Sequence, residues 1–90
     1  MITIGTRIKY LRLKQGMTQK CLGQIIGFPE SSADVRITQY ETDVRSPRPE
    51  LIRKLADALG VTPEYLSTPV PSTPEEKQVI EFWQKEFNQS

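Results

Sequence analysis

Glycines at positions 16, 27 and 60 each close a run in which apolar residues recur every three or four positions, and that punctuation commits the chain to short helices. Ile4, Ile8 and Leu11 mark a first helix over 4–14, and Gly16 after it can take the left-handed conformation that ends a helix. Thr18 is placed to cap a second helix over 18–26, with Met17 and Leu22 at the spacing of a hydrophobic staple. Leu22, Ile25 and Ile26 form its expected buried side. Gly23 carries no side chain, so a neighbouring helix can approach closely there. A short third helix over 32–41 turns Ala33, Ile37 and Tyr40 to one face and leaves the outward face polar. "PELIRKLADALG" is the clearest amphipathic segment: Leu51, Leu55, Ala58 and Leu59 share one side, with Ile52 and Ala56 beside them. Thr62 and Pro63 then cap and open a fifth, short turn of helix.

"STPVPSTP", residues 67–74, has three prolines in eight residues and reads as an extended linker. After it, Thr73 is placed as a cap, Pro74 as a first-turn proline and Glu76 as the acid of a capping box. Val79, Ile80, Trp83 and Phe87 follow on one side of a helix within 75–90. A helix of that length is marginal alone in water and exposes an aromatic stripe unless it docks.

Ninety residues bury only about 60 to 65% of their unfolded surface on folding, so the core must be compact. No run approaches the roughly 18 apolar residues of a membrane span. The N-terminal stretch interleaves Lys and Arg with its apolar residues and lacks the apolar core of a signal peptide, so a cytoplasmic protein is expected. The lone Cys21 excludes an internal disulfide and a multi-cysteine metal site, and the absence of His removes the usual general base and metal ligand. No glycine-rich phosphate loop is present. Neither enzymatic activity, a metal nor a cofactor is therefore expected. Cys21 reads as a buried or half-buried helix residue.

Charge is distributed unevenly: residues 1–66 hold ten Lys and Arg against seven Asp and Glu, whereas 67–90 hold two against four. Arg7, Lys9, Arg12, Lys14 and Lys20 occur in the first twenty residues with no acid among them. That stretch suits either a solvated helix face or a surface for a polyanion.

"IGTRIKYLRLKQGMTQKCLGQIIGF", "RITQYE" and "SPRPELIRKLADALGVTPEYL" resemble the phage repressor and Cro family of DNA-binding domains, also called the XRE family, over residues 4–66. The resemblance implies an all-α fold: a five-helix, lambda-repressor-like helix-turn-helix domain over 1–66, joined by the 67–74 linker to one C-terminal helix in 75–90. Three features depart from the family pattern. The turn after Gly27 is about four residues longer than in the best-known members, Asp43 stands where a glycine is usual, and Arg48 replaces a small cap. "FPESSAD" is then the extended turn, and "SADVRITQYE" matches the recognition helix of a longer-turn variant.

Within that frame Arg36 can pair with guanine O6 and N7, Gln39 with adenine N6 and N7, and Val35 can touch a thymine methyl. Gln19, Ser32, Thr38, Thr42, Arg45 and Arg48 are candidate phosphate contacts, which give affinity without reading sequence. Asp34 would repel phosphate and is assigned to the helix start, three residues after Ser31. One recognition helix reads few base pairs, so a homodimer is expected, paired through Val79, Ile80, Trp83 and Phe87. The other reading of that stripe folds it back on its own domain. The resulting expectation is a DNA-binding regulator, most simply a repressor binding a palindromic operator. The alternative is an antitoxin-type or other module that binds a second protein through the aromatic helix. With 24 residues beyond position 66 there is no room for an effector module, so regulation is expected through protein level, dimerisation or a partner.

Overall fold

The computed structural model describes residues 2–67 and 73–88, with only the backbone described for 86–88. Six helices and no strand occur among them: α1 (Ile4–Lys14), α2 (Gln19–Ile25), α3 (Ala33–Glu41), α4 (Pro49–Leu59), α5 (Pro63–Ser67) and α6 (Pro74–Asn88). Most of the linker lies outside the described residues, as does the Phe87 side chain.

Helix starts follow the chemistry of their caps. Thr18 Oγ1 accepts from Cys21 N at 3.0 Å, Thr62 Oγ1 from Tyr65 N at 3.1 Å and Thr73 Oγ1 from Glu76 N at 3.2 Å. Thr3, a cap the periodicity did not mark, forms a reciprocal capping box with Thr6 at the head of α1. Gly60 closes α4 with φ of 74°, where a residue with a Cβ would be strained.

Ile8, Leu11, Leu22, Ile26, Ile37, Tyr40, Leu55, Ala56, Leu59 and Leu66 form one core. Most of the expected apolar faces enter it. Ile25 does not: it is 58% exposed and lines an open cleft between α2 and α4 with Lys54, Asp57 and Ala58. Cys21 is likewise exposed, on the outer side of α2. Gly23 behaves as its lack of a side chain requires. A Cβ built there would stand 2.7 Å from Ala33 Cβ and 2.8 Å from Ala33 O, so α2 and α3 touch backbone to backbone.

α6 packs on α1, and its inward face joins the same core through Ile80, which is fully buried. Val79 and Trp83 are half-buried against that core, and Lys9 Nζ lies 4.5 Å from the Trp83 ring centroid. Of the four residues expected to pair two copies, Ile80 is buried in its own domain, as the fold-back reading has it, and the Phe87 side chain lies outside the described residues. Glu76 departs from the expected capping box. Its backbone serves the cap, but its carboxylate turns inward, fully buried, to meet Arg7 Nη2 and Nε at 3.1 Å and the Tyr65 hydroxyl at 2.9 Å. Arg7 also donates to Tyr65 O at 2.8 Å and lies over the Tyr65 ring. Burial and then the bond to Glu76 push the Tyr65 phenol above its ordinary pKa. The buried Tyr10 is pushed up by burial first and then by the charges of Glu75 and Glu76.

Candidate nucleic-acid interface

α3 presents the candidate surface. Ala33, Ile37, Tyr40 and Glu41 face inward, so the opposite side carries Val35, Thr38 and Thr42, all exposed, with Gln39 and Arg36 half-buried beside them. Val35 is 55% exposed despite being apolar, and a β-branched side chain held out in water on a rigid helix is available to an apolar partner.

The helix is held in place by a buried chain of polar contacts that joins three helices. Arg12 of α1 donates to Glu41 through Nε at 2.6 Å and Nη2 at 3.2 Å, and through Nη1 to Met17 O at 2.8 Å. Gln19, the first residue of α2, donates to the same carboxylate at 3.0 Å, and its Oε1 lies 3.0 Å from Thr38 Oγ1. A charge-assisted pair at 2.6 Å, with three donors on the Glu41 carboxylate, tolerates burial that a bare charge would not. The acid-free N-terminal stretch is therefore divided: Arg7 and Arg12 face inward as internal partners of Glu76 and Glu41, leaving Lys14 and Lys20 exposed. Sequence reading missed both pairs. Their members lie 69 and 29 residues apart, and no local pattern links them.

The head of α3 also differs from expectation. Ser32 is the N-cap residue and makes no side-chain cap, while Asp34 Oδ1 accepts from Val35 N at 2.9 Å. Its charge in the first turn complements the helix dipole. At the other end Asp43 has φ of 61°, and its carboxylate crosses to α1, taking the Thr3 hydroxyl at 2.5 Å and Gly5 N at 3.0 Å.

The extended turn, residues 26–32, is built and not slack. Phe28 N donates to Gly23 O at 2.8 Å, Ser32 N to Pro29 O at 3.1 Å, and Glu30 pairs with Lys20 at 3.1 Å across its surface. The Phe28 ring stacks on Tyr40 with centroids 6.4 Å apart, and the Arg36 guanidinium carbon sits 3.8 Å from its centroid. Between α3, the loop after it and the start of α4 lies an open cleft of about 540 Å³. Arg36, Arg45, Arg48 and Lys54 line it with Glu50 as the one acid, over a floor of Phe28, Tyr40 and Leu51. Arg48 caps α4 without a side-chain hydrogen bond, so the positive end of that helix opens beside the cleft.

Apart from Ser32 at the head of α3, the sequence-predicted residues fall into two adjoining groups. Val35, Gln39, Thr38 and Thr42 share the outward face of α3, with Gln19 bonded to Thr38, while Arg36, Arg45 and Arg48 surround the cleft. No helix among the described residues is long and apolar enough to cross a membrane.

Comparison with known proteins places this geometry. A family model described as helix-turn-helix matches residues 8–66. The P22 c2 repressor protein, solved in complex with a synthetic operator in the presence of Tl+, is 30% identical with a TM-score of 0.68, over 78% of this chain and all of its own. The transcriptional regulator BswR is 33% identical with a TM-score of 0.71, over 93% of this chain and 94% of its own. No curated protein sequence matches the chain.

Proposed function

The chain belongs to the helix-turn-helix family, and from that footing we propose that it is a sequence-specific, DNA-binding transcriptional regulator: a homodimeric repressor that occupies a palindromic operator. The observation that carries the reading is the pairing of a polar, outward α3 face with a cationic cleft along its edge. A rigid helix whose exposed side offers a methyl-bearing residue and an amide suits base edges in a major groove. Val35 and Gln39 read bases on this view, and Arg36 contributes from the flank. Gln19, Ser32, Thr38, Thr42, Arg45 and Arg48 hold phosphates on either side. That the P22 c2 repressor protein was solved with an operator supports duplex DNA as the ligand.

Nine residues of α3 span about 14 Å, or roughly four base pairs, which is too little sequence to define an operator. Two copies reading half-sites about 34 Å apart meet that need. With Ile80 buried in its own domain, pairing through α6 is left to Val79 and Trp83 at its margin, or requires α6 to leave.

Selection of bound duplexes from genomic fragments by the full chain tests the reading, with anisotropy titrations on the enriched sequence. Gln39→Ala should weaken the enriched duplex by about 1 to 3 kcal/mol and relax preference at one base position. A pool that shows no enrichment at low salt would remove the DNA reading altogether. Sedimentation of the complex should give two chains per duplex.

A further inference from the structure

Arg36 lies about 100° around α3 from Val35, and it does not stand free. Its guanidinium carbon lies over the Phe28 ring, 3.8 Å from the centroid, and Phe28 is itself held at two points. Its backbone N–H is bonded to Gly23 O at the end of α2, and its ring lies stacked at 21° against Tyr40 of α3. We propose that Phe28, at the start of the extended turn, is a positioning residue for Arg36, so that the long turn contributes to DNA specificity without itself reading DNA. The inference rests on the regulator reading above.

A guanidinium carries its five N–H donors in its plane, pointing outward along the edge, while an aromatic ring occupies only the face. Arg36 over the ring face keeps its forked donors for a guanine edge while losing the freedom of its long stem. Ordering such a side chain at the moment of binding weakens association; ordering it beforehand removes that loss. Aliphatic packing alone does not achieve this, since a leucine at position 28 offers no flat, electron-rich face to align the plane. An Arg with nothing beneath it at a helix flank would sample several rotamers. The turn's extra residues make the pedestal possible: Pro29 to Ser32 carry the chain away from Phe28 and back to α3, leaving the ring between Tyr40 and Arg36.

A double-mutant cycle on the full chain tests this, using the duplex enriched by the wild type and a scrambled control. Phe28→Leu should weaken the enriched duplex about three- to tenfold, Phe28→Tyr should stay within about twofold of wild type, and Phe28→Leu added to Arg36→Ala should change nothing further. Equal losses from Phe28→Leu in both backgrounds would mean that the ring acts through the fold alone, and the proposal would fall. A structural role would also lower affinity for scrambled DNA equally, whereas positioning lowers the ratio between the two. Should Phe28→Leu not fold, the free wild-type protein still decides the matter by NMR: the Arg36 Nε–Hε resonance is expected to be shifted upfield by the ring current, and an unshifted resonance overturns the pedestal. If a duplex is enriched but Arg36→Ala binds it as tightly as wild type, the regulator stands and the positioning role is wrong. If no duplex is enriched, both fall together.

Discussion

Asp43 illustrates how a single residue resolves a departure from pattern. Its left-handed backbone costs an ordinary residue about 1 to 2 kcal/mol, less for Asp, and its carboxylate recovers this by taking the Thr3 hydroxyl and the Gly5 amide at the head of α1. Asp43→Ala should destabilise the fold by about 1 to 3 kcal/mol, seen as a lower urea midpoint with unchanged slope. Gly5 explains why the two helices meet so closely. A Cβ there would stand 2.5 Å from Tyr40 O and 2.6 Å from Glu41 O, backbone atoms that cannot turn aside. Gly5→Ala should therefore lower the midpoint more than Asp43→Ala does, and an equal or smaller loss would show that α1 can slide. Sequence marked Asp43 as standing where a glycine is usual but not the partners it acquires, since those lie 38 and 40 residues away.

At the scale of elements, local periodicity and capping chemistry located every helix to within about two residues, because both act over one or two turns. What a helix docks against lies beyond that range. α6 shows the difference: its start and apolar stripe were legible from Thr73, Pro74 and Ile80, but the Arg7–Glu76 pair that joins it to α1 was not, being remote in sequence. Trp83, the single tryptophan, reports on that docking directly. Glu76→Ala leaves the Arg7 charge buried without its carboxylate and should cost up to about 3 to 5 kcal/mol, with Trp83 emission shifting to the red. Unchanged emission would mean that the apolar contacts of Ile80 suffice. The phenols of Tyr10 and Tyr65 add a pH dependence. Both are neutral at neutral pH in folded and unfolded chains, and both pKa values are raised on folding. Their contribution is full below about pH 10 and is lost as pH rises from there through the folded values. A fluorescence titration should therefore release Trp83 only above about pH 10, and Tyr65→Phe should move that transition.

For the molecule as a whole, the order of helices and the surface offered by α3 followed from the sequence, because a fixed period decides which residues face outward. The cleft did not. Arg36, Arg45, Arg48 and Lys54 come from three segments, and only the fold gathers them around Phe28 and Tyr40. Their joint effect is electrostatic. Binding of the enriched duplex should weaken steeply with salt, and Arg45→Ala or Arg48→Ala should each reduce the slope of log K against log salt by about 0.9 while leaving base preference intact. A slope unchanged by either substitution would place the phosphates elsewhere.

The clasp between the first and last helices also has a consequence in time. Arg7 leaves the ribosome's catalytic centre 69 residues before Glu76, about 3 to 14 seconds earlier at ordinary synthesis rates. α1 to α5 hold contacts that span shorter stretches of chain, so they have the opportunity to assemble with Arg7 already set against Tyr65 of α5 before the Glu76 carboxylate reaches it.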